Sequence, residues 1–449
     1  MTRHYFGTDG IRGTANTPPM TAGIVLNVAM AAAHVMRSQT GKAMNRVIIG
    51  KDTRLSGYML EQAMASGFVA MGMDVIRTGP IPTPAVARLT TTLRADIGVM
   101  ISASHNLYQD NGIKLFGSDG YKLSDDLEHK IEQAMAENIE ATLPEPDQIG
   151  KATQLDDAPG RYVEYIKRSF PRGKTLSGLK VVIDCANGAA YKVAPQILWE
   201  LEADVISIGD KPNGRNINDS FGATATKEIQ KRVVEENADI GLALDGDADR
   251  LIVIDEKGHS VDGDQLMGLL ALSKKKQGLL AHDTLVTTVM SNLGLERFCR
   301  SEGISMERTH VGDRYVVEKM REGAFNLGGE QSGHIVLGDY ATTGDGLLAA
   351  LQVLAVLREE ERKASEICHI FDPVPQILKN VRYSGSMPLE TRPVQEAIAE
   401  AERNLANDGR LLVRPSGTEP LIRVMAEGED LDKVHQIVDG LCAVIEKQA

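Results

Sequence analysis

Short runs rich in valine and isoleucine alternate with longer amphipathic stretches along most of this chain, and that rhythm constrains the fold more than any other feature. Residues 46–50, 74–77 and 95–100 read as buried strands, with helices over about 59–71 and 84–92 between them. Strands apolar on both faces and separated by helices make a mostly parallel sheet covered on both sides. The rhythm pauses over about 144–160, where Pro, Asp and Gly gather. It restarts with strands 179–184, 204–208 and 239–244, a helix running to about 201 and another over 226–236. A third restart after about 256 brings strand 284–290 and helices 293–302, 315–322 and 346–362. From 373 the pattern changes to strand 376–383, helix 394–406, two strands around Gly417 and helix 431–446, a compact α+β unit of more antiparallel style. At 449 residues the chain is too long for one core. The fold class expected is α/β, with domains at 1–155, 156–256 and 257–371 and a smaller C-terminal α+β domain at 372–449.

The net charge of −13 repels nucleic acid and anionic membranes, so neither is an expected partner. No uninterrupted run of about eighteen apolar residues exists to span a bilayer. The first residues lack the apolar core of a signal peptide, and Cys185, Cys299, Cys368 and Cys442 are scattered like reduced thiols. A cytoplasmic location is expected. An anionic substrate would need a local basic cluster working against the overall field.

Five motifs carry chemistry. SASHN at 102–106 follows a strand and leads to Lys114, so Ser104 stands at the sheet edge where ligands of α/β folds sit, beside His105 and Asn106. A serine there can accept and return a group, if its oxygen is made reactive; an Asn/Gly-rich turn serving its own backbone is the alternative. DGDADR at 245–250 begins where a strand ends. Asp245, Asp247 and Asp249 can converge on one hard cation, and magnesium prefers such oxygens. A calcium loop fails because Arg250 replaces the sixth-position glycine and 251–254 reads as a strand. RPSGTEP at 414–420, with Arg423 beyond it, offers Ser416, Gly417 and Thr418 as donors and Arg414 and Arg423 as charge, a set suited to phosphate, or to an ordinary Ser-Gly hairpin. GEQSGH at 329–334 offers Glu330 and Ser332 to vicinal sugar hydroxyls, with His334 near neutrality for proton transfer. Near the start, Arg12 in FGTDGIRG (6–13) can reach a phosphate past its glycines. Arg54 either orients the serine loop or only pairs with Asp52. His310, on strand 306–311, reads as structural.

Taken in order, these motifs resemble the α-D-phosphohexomutase family over residues 5–446, and SASHN and Glu-Gln-Ser favour its glucosamine branch. The resemblance implies three similar mixed α/β-sandwich domains and a flexible fourth around one cleft. It implies that Ser104 is the phosphorylated serine, that Asp245, Asp247 and Asp249, with the Ser104 phosphate, hold one Mg2+, and that Glu330 and Ser332 recognise the sugar. The loop from Arg414 to Arg423 would grip the phosphate not being transferred. Lys114 and His334 would move protons, with Arg12 and His105 at the reacting group. The implied reaction interconverts glucosamine 6-phosphate and glucosamine 1-phosphate through a 1,6-bisphosphate, feeding UDP-N-acetylglucosamine and cell-wall precursors. The partner is a small-molecule sugar phosphate, and a homodimer is compatible with the resemblance. Within the family, mannose or glucose phosphates are the alternative substrates. A magnesium-dependent phosphatase and a non-catalytic sugar-phosphate sensor are the rivals outside it.

Two residues depart from the family pattern. Leu107 stands where proline is usual, which frees φ and leaves the serine loop less rigid. Ala248 stands where glycine is usual, which is tolerable only if that residue avoids positive φ.

Overall fold

The computed structural model describes residues 4–7, 9–40, 46–384, 387–405, 409–415 and 421–448. Its strands form four sheets. The first has seven strands in the order Phe6–Gly7, Gly10–Thr14, Asp110–Gly117, Ile97–Ile101, Arg46–Lys51, Asp74–Pro80 and Ala152–Gln154. The last four run parallel, and Asp110–Gly117 pairs antiparallel on both sides. The segment expected as a pause therefore supplies an edge strand, Ala152–Gln154, and the start of helix Ala158–Lys167.

Period-two alternation explains why these strands read as continuous apolar runs. Val47, Ile49, Ile97, Val99 and Ile101 enter a core under helices Ala22–Thr40, Ser56–Ala70 and Asp125–Met135. Ile48 and Met100 face the opposite way, into a larger core. That larger core continues through Val181, Ile183, Leu242 and Leu244 of the second sheet and Leu285 and Leu327 of the third. Helix Gly346–Glu360 runs through it, apolar and buried from Leu347 to Leu357 apart from the half-buried Gln352, and the carboxylate of Asp345 caps it by accepting from the N–H groups of Leu347 and Leu348.

The second sheet orders Ser260–Val261, Leu251–Asp255, Ile240–Leu244, Lys180–Asp184 and Asp204–Ile208. The third orders Ser305–Thr309, Thr284–Thr288, Leu327–Gly329 and Ile335–Leu337. In each of the first three sheets a run of parallel strands meets an antiparallel strand: Asp110–Gly117, Leu251–Asp255 or Ile335–Leu337. The fourth sheet, Gln376–Arg382, Leu421–Gly428 and Gly409–Pro415, is wholly antiparallel and has its own core under helices Arg392–Leu405 and Leu431–Glu446. Among the described residues no helix is long and apolar enough to cross a membrane. One local reading is corrected: strand Ser305–Thr309 ends before His310, which is exposed and packs edge-on against Tyr315 rather than serving a core.

Candidate active site

Three loops occupy equivalent places in the three α/β sheets. Each leaves the end of a parallel strand and returns on its antiparallel neighbour: residues 102–109 in the first, 245–250 in the second and 330–334 in the third. The second and third loops are joined through the Leu251 N–H on the Gly333 carbonyl at 3.0 Å and a backbone bridge between Arg250 and His334. The first meets the second through the Ser104 hydroxyl, which donates to Asp245 Oδ2 at 2.5 Å. Side chains 141 residues apart in sequence are thus brought together by equivalent turns.

Ser104 is 1% exposed and its backbone sits at φ 51°, in the left-handed region. His105 Nδ1 lies 3.4 Å from its Oγ. Burial, then the charges of Arg250 and Arg12, push that imidazole down to about 4. It is a neutral neighbour of the serine near pH 7.

Asp245, Asp247 and Asp249 are all buried, with one ligand oxygen from each within 4.8 Å of the others. Asp247 Oδ2 accepts from the Thr83 hydroxyl at 2.5 Å and from Lys114 Nζ at 2.9 Å. Lys114 also reaches Asp249 Oδ2 at 3.3 Å. Burial lifts Asp245 well above the usual carboxylate range, and the charges of Asp249 and Asp247 add to it. The Oδ1 atoms of Asp247 and Asp249 are buried without a hydrogen-bond partner among the described residues. Crowded, buried carboxylates with unpartnered oxygens fit a hard cation, which takes oxygen ligands and relieves the repulsion. The residues present could hold a metal ion. Strand Leu251–Asp255 follows the loop, as it would not in a helix-loop-helix calcium site.

The condition set for tolerating Ala248, that it avoid positive φ, is not met: Ala248 sits at φ 59°. A turn that brings the third carboxylate back over the first two needs that conformation. It is held by the Ala248 N–H on the Asp245 carbonyl and the Gly346 N–H on the Ala248 carbonyl, both at 3.0 Å. The methyl costs roughly 1–2 kcal/mol there.

Lys114, 1% exposed, lies among Asp247, Asp249 and Asp9, the last at 3.3 Å. Burial opposes its charge, but Asp247, Asp9 and Asp249 outweigh burial and hold it well above the ordinary lysine range. Asp9 also pairs with Arg12, at 2.5 Å, and with Lys122. Lys122 in turn meets Asp313 at 2.5 Å, and Asp313 lies 3.5 Å from His334 Nε2. His334 Nδ1 stands 3.7 Å from Asp249, which closes a ring of alternating charge. Burial would lower the His334 pKa, yet Asp249, Asp313 and Glu330 raise it to about 8. The Gly344 N–H donates to Nε2 at 3.1 Å, so the neutral ring carries its proton on Nδ1, toward Asp249.

Glu330 is tied to the loop before helix Asp313–Glu322, accepting from the Gly312 N–H at 3.1 Å, and Ser332 is exposed. Arg414 and Arg423 face each other across the fourth sheet, their buried Nε atoms unpartnered among the described residues. Burial and then the like charge of Arg423 lower the Arg414 pKa. No hydrogen bond or ion pair among the described residues joins them to the aspartate cluster. Ser416, Gly417 and Thr418 lie outside the described residues.

Sequence reasoning missed Asp9, Thr83, Lys122, Asp313 and also Asn218, whose side-chain amide donates to the Ser104 carbonyl at 2.8 Å. Asp9 lay inside FGTDGIRG and was open to discovery. The other four stand in no motif, and only the packing of one sheet against another brings them to the site.

A fold of three equivalent α/β sheets with one polar cluster at their loops, plus a smaller antiparallel unit, defines a class that the comparisons identify. The chain belongs to the phosphoglucomutase/phosphomannomutase family: alpha/beta/alpha domain I matches residues 3–142, domain II 160–258, domain III 262–374 and the C-terminal domain 372–444. It is an enzyme, a phosphotransferase of the isomerase class. The phosphoglucosamine mutase of Xanthobacter autotrophicus is 60% identical over 449 residues, covering 100% of both chains. That of Rhizobium etli is 60% identical over 445 residues, covering 99% of this chain and 98% of its own. A crystal structure of a phosphoglucomutase/phosphomannomutase family protein from Burkholderia thailandensis shares the fold with TM-score 0.84 at 23% identity, covering 99% of this chain and 97% of its own.

Proposed function

We propose that the chain interconverts glucosamine 6-phosphate and glucosamine 1-phosphate through a phosphorylated Ser104 and a glucosamine 1,6-bisphosphate intermediate. The observation that carries the reading is the Ser104 Oγ, 2.5 Å from Asp245 Oδ2, in the buried cluster that also holds Lys114. The substrate class is supported by full-length relatives named phosphoglucosamine mutase.

In the first half-reaction the bond from Ser104 Oγ to phosphorus breaks as sugar O1 bonds to the same phosphorus, and the O1 proton passes to a group at the cluster. Lys114 and His334 both reach the cluster, but its carboxylates hold Lys114 charged, so His334, at about 8, is the group whose neutral form can take that proton. The departing Ser104 Oγ takes up a proton; in the second half-reaction it gives that proton up as it bonds to phosphorus, the O6–phosphorus bond of the turned intermediate breaks, and O6 leaves as a hydroxyl. Such transfer rests on positioning and charge stabilisation. Lys114 and Arg250 supply fixed positive charge beside Ser104, and Arg12 faces the same cluster through Asp9. A Mg2+ ion held by Asp245, Asp247 and Asp249, with an oxygen of the Ser104 phosphate, would neutralise charge on the phosphoryl oxygens. Glu330 accepts sugar hydroxyls with Ser332 beside it, and Arg414 and Arg423 anchor the phosphate that is not moving. The four buried thiols suit a reducing cytoplasm.

The test is turnover of Ser104→Ala on glucosamine 6-phosphate, with mannose and glucose phosphates as comparison substrates and inorganic phosphate release monitored. The reading requires that this variant be inactive, that wild type prefer the amino sugar and that free phosphate stay negligible. Residual mutase activity without the hydroxyl would defeat it.

A further inference from the structure

A serine at φ 51° does not stay there unaided, and the residues that hold Ser104 are visible. Arg54, 0% exposed, follows strand Arg46–Lys51 and reaches under the serine loop. Its Nη2 donates to the carbonyls of Ser104 at 2.9 Å and Asn106 at 2.8 Å. Its Nη1 donates to the carbonyls of Asp110 at 3.0 Å and Leu107. Its Nε is fixed by Asp52 Oδ2 at 2.8 Å, and the Ser102 hydroxyl donates to that oxygen at 2.6 Å.

A second grip comes from the neighbouring unit. The Asn218 amide donates to the carbonyls of Ser104 at 2.8 Å and Asn106 at 2.9 Å, and its backbone N–H is anchored on the Ala186 carbonyl at 2.9 Å. The aspartate loop closes the third side, because a Cβ on Gly246 would stand 2.5 Å from the Ser104 carbonyl oxygen. The loop carbonyls are drawn to one side, and the Ser104 hydroxyl is left to face Asp245.

We propose that Arg54 and Asn218 are positioning residues for phosphoryl transfer: together they lock the backbone of residues 104–110 so that the Ser104 oxygen stays aimed at the aspartate cluster. Asn218 also ties the serine loop to the second sheet, so that hydroxyl and carboxylates keep one register. The inference rests on the phosphoserine reading above.

The test compares wild type with Asn218→Ala and Arg54→Lys, the latter keeping charge and bulk but not the planar fork. Steady-state kinetics on glucosamine 6-phosphate are set beside hydrogen–deuterium exchange of peptides spanning 104–110 in metal-free protein. Displacement of a reacting atom by about 1 Å costs about a hundredfold in rate. The expected result for each variant is a kcat lower by roughly 10- to 100-fold with KM within about twofold. Exchange should be faster across 104–110 and unchanged across the fourth sheet. Wild-type kcat in both variants overturns the proposal, as does accelerated exchange spread evenly over the chain, which marks a merely structural loss. If wild type itself fails to turn over the sugar phosphate, the parent reading falls; if wild type is active and both variants match it, only the positioning role falls.

Discussion

Replacing Asp245 by Asn should stabilise the metal-free protein and remove most of the stability that metal adds. At a ligand-atom separation of 4.8 Å, two carboxylates repel by about 3.5 kcal/mol with an effective dielectric constant of about 20. Asp245 faces two such partners, and Arg250 and the Ser104 hydroxyl offset part of that repulsion. Where Asp245 is ionised, Asp245→Asn should therefore stabilise the metal-free protein by about 2 kcal/mol. In wild type, saturating Mg2+ at about a hundred times its dissociation constant adds about 2.7 kcal/mol; the variant should lose most of that gain. The pH dependence has a definite sign. Burial and the neighbouring carboxylates raise the folded Asp245 above its unfolded value near 4, so metal-free wild type loses stability as pH rises from there. Mg2+ or the Asn substitution should flatten that slope. Thermal unfolding of EDTA-treated protein, with Mg2+ titrated back at several pH values, reads all three effects. A variant that is less stable without metal yet still gains the full Mg2+ shift would refute the reasoning.

Two other substitutions probe neighbouring features. Ala248→Gly removes a methyl from φ 59° and should raise the unfolding midpoint, with a net gain of about 0.5–1 kcal/mol once glycine's greater unfolded freedom is subtracted; an unchanged or lower midpoint counts against backbone strain there. Asp264 is buried at the start of helix Gly263–Lys276, with one oxygen on the Asn292 N–H at 2.7 Å and the other unpartnered. Burial, then the charge of Asp262, lifts its pKa to about 7. The folded state thus holds a proton the unfolded chain has lost, and stability should fall by about 3 kcal/mol between pH 4 and 7. Asp264→Asn should remove that slope in a urea-denaturation series, and an identical pH profile would show that this carboxyl does not titrate as described.

Much of the fold was legible because buried parallel strands carry a strong local signal, and strand Asp204–Ile208 matches its expected limits. Helix Ala22–Thr40 was not read, since its alanine-rich surface is buried nearly all round and shows no polar stripe. Strand Asp110–Gly117 was hidden because its DNGIKLFG begins like a turn, although it carries Lys114. The motif residues Ser104, Asp245, Asp247, Asp249 and His334 converge on one cluster because their loops follow equivalent strands, and Lys114 joins them from the strand that returns from the serine loop. Asn218 and Lys122 gave no sequence signal, because their partners lie 114 and 191 residues away and only tertiary packing creates those contacts. Arg54 lay between two readings, and the structure gives it both: it pairs with Asp52 and holds the serine loop.

The shuttle itself is read most directly by intact-protein mass. Wild type incubated with glucosamine 1,6-bisphosphate should gain the mass of one phosphoryl group, mapped to Ser104, and lose it when glucosamine 6-phosphate is added. A protein that turns over substrate while its mass never changes, or that carries the group on another residue, would contradict the account.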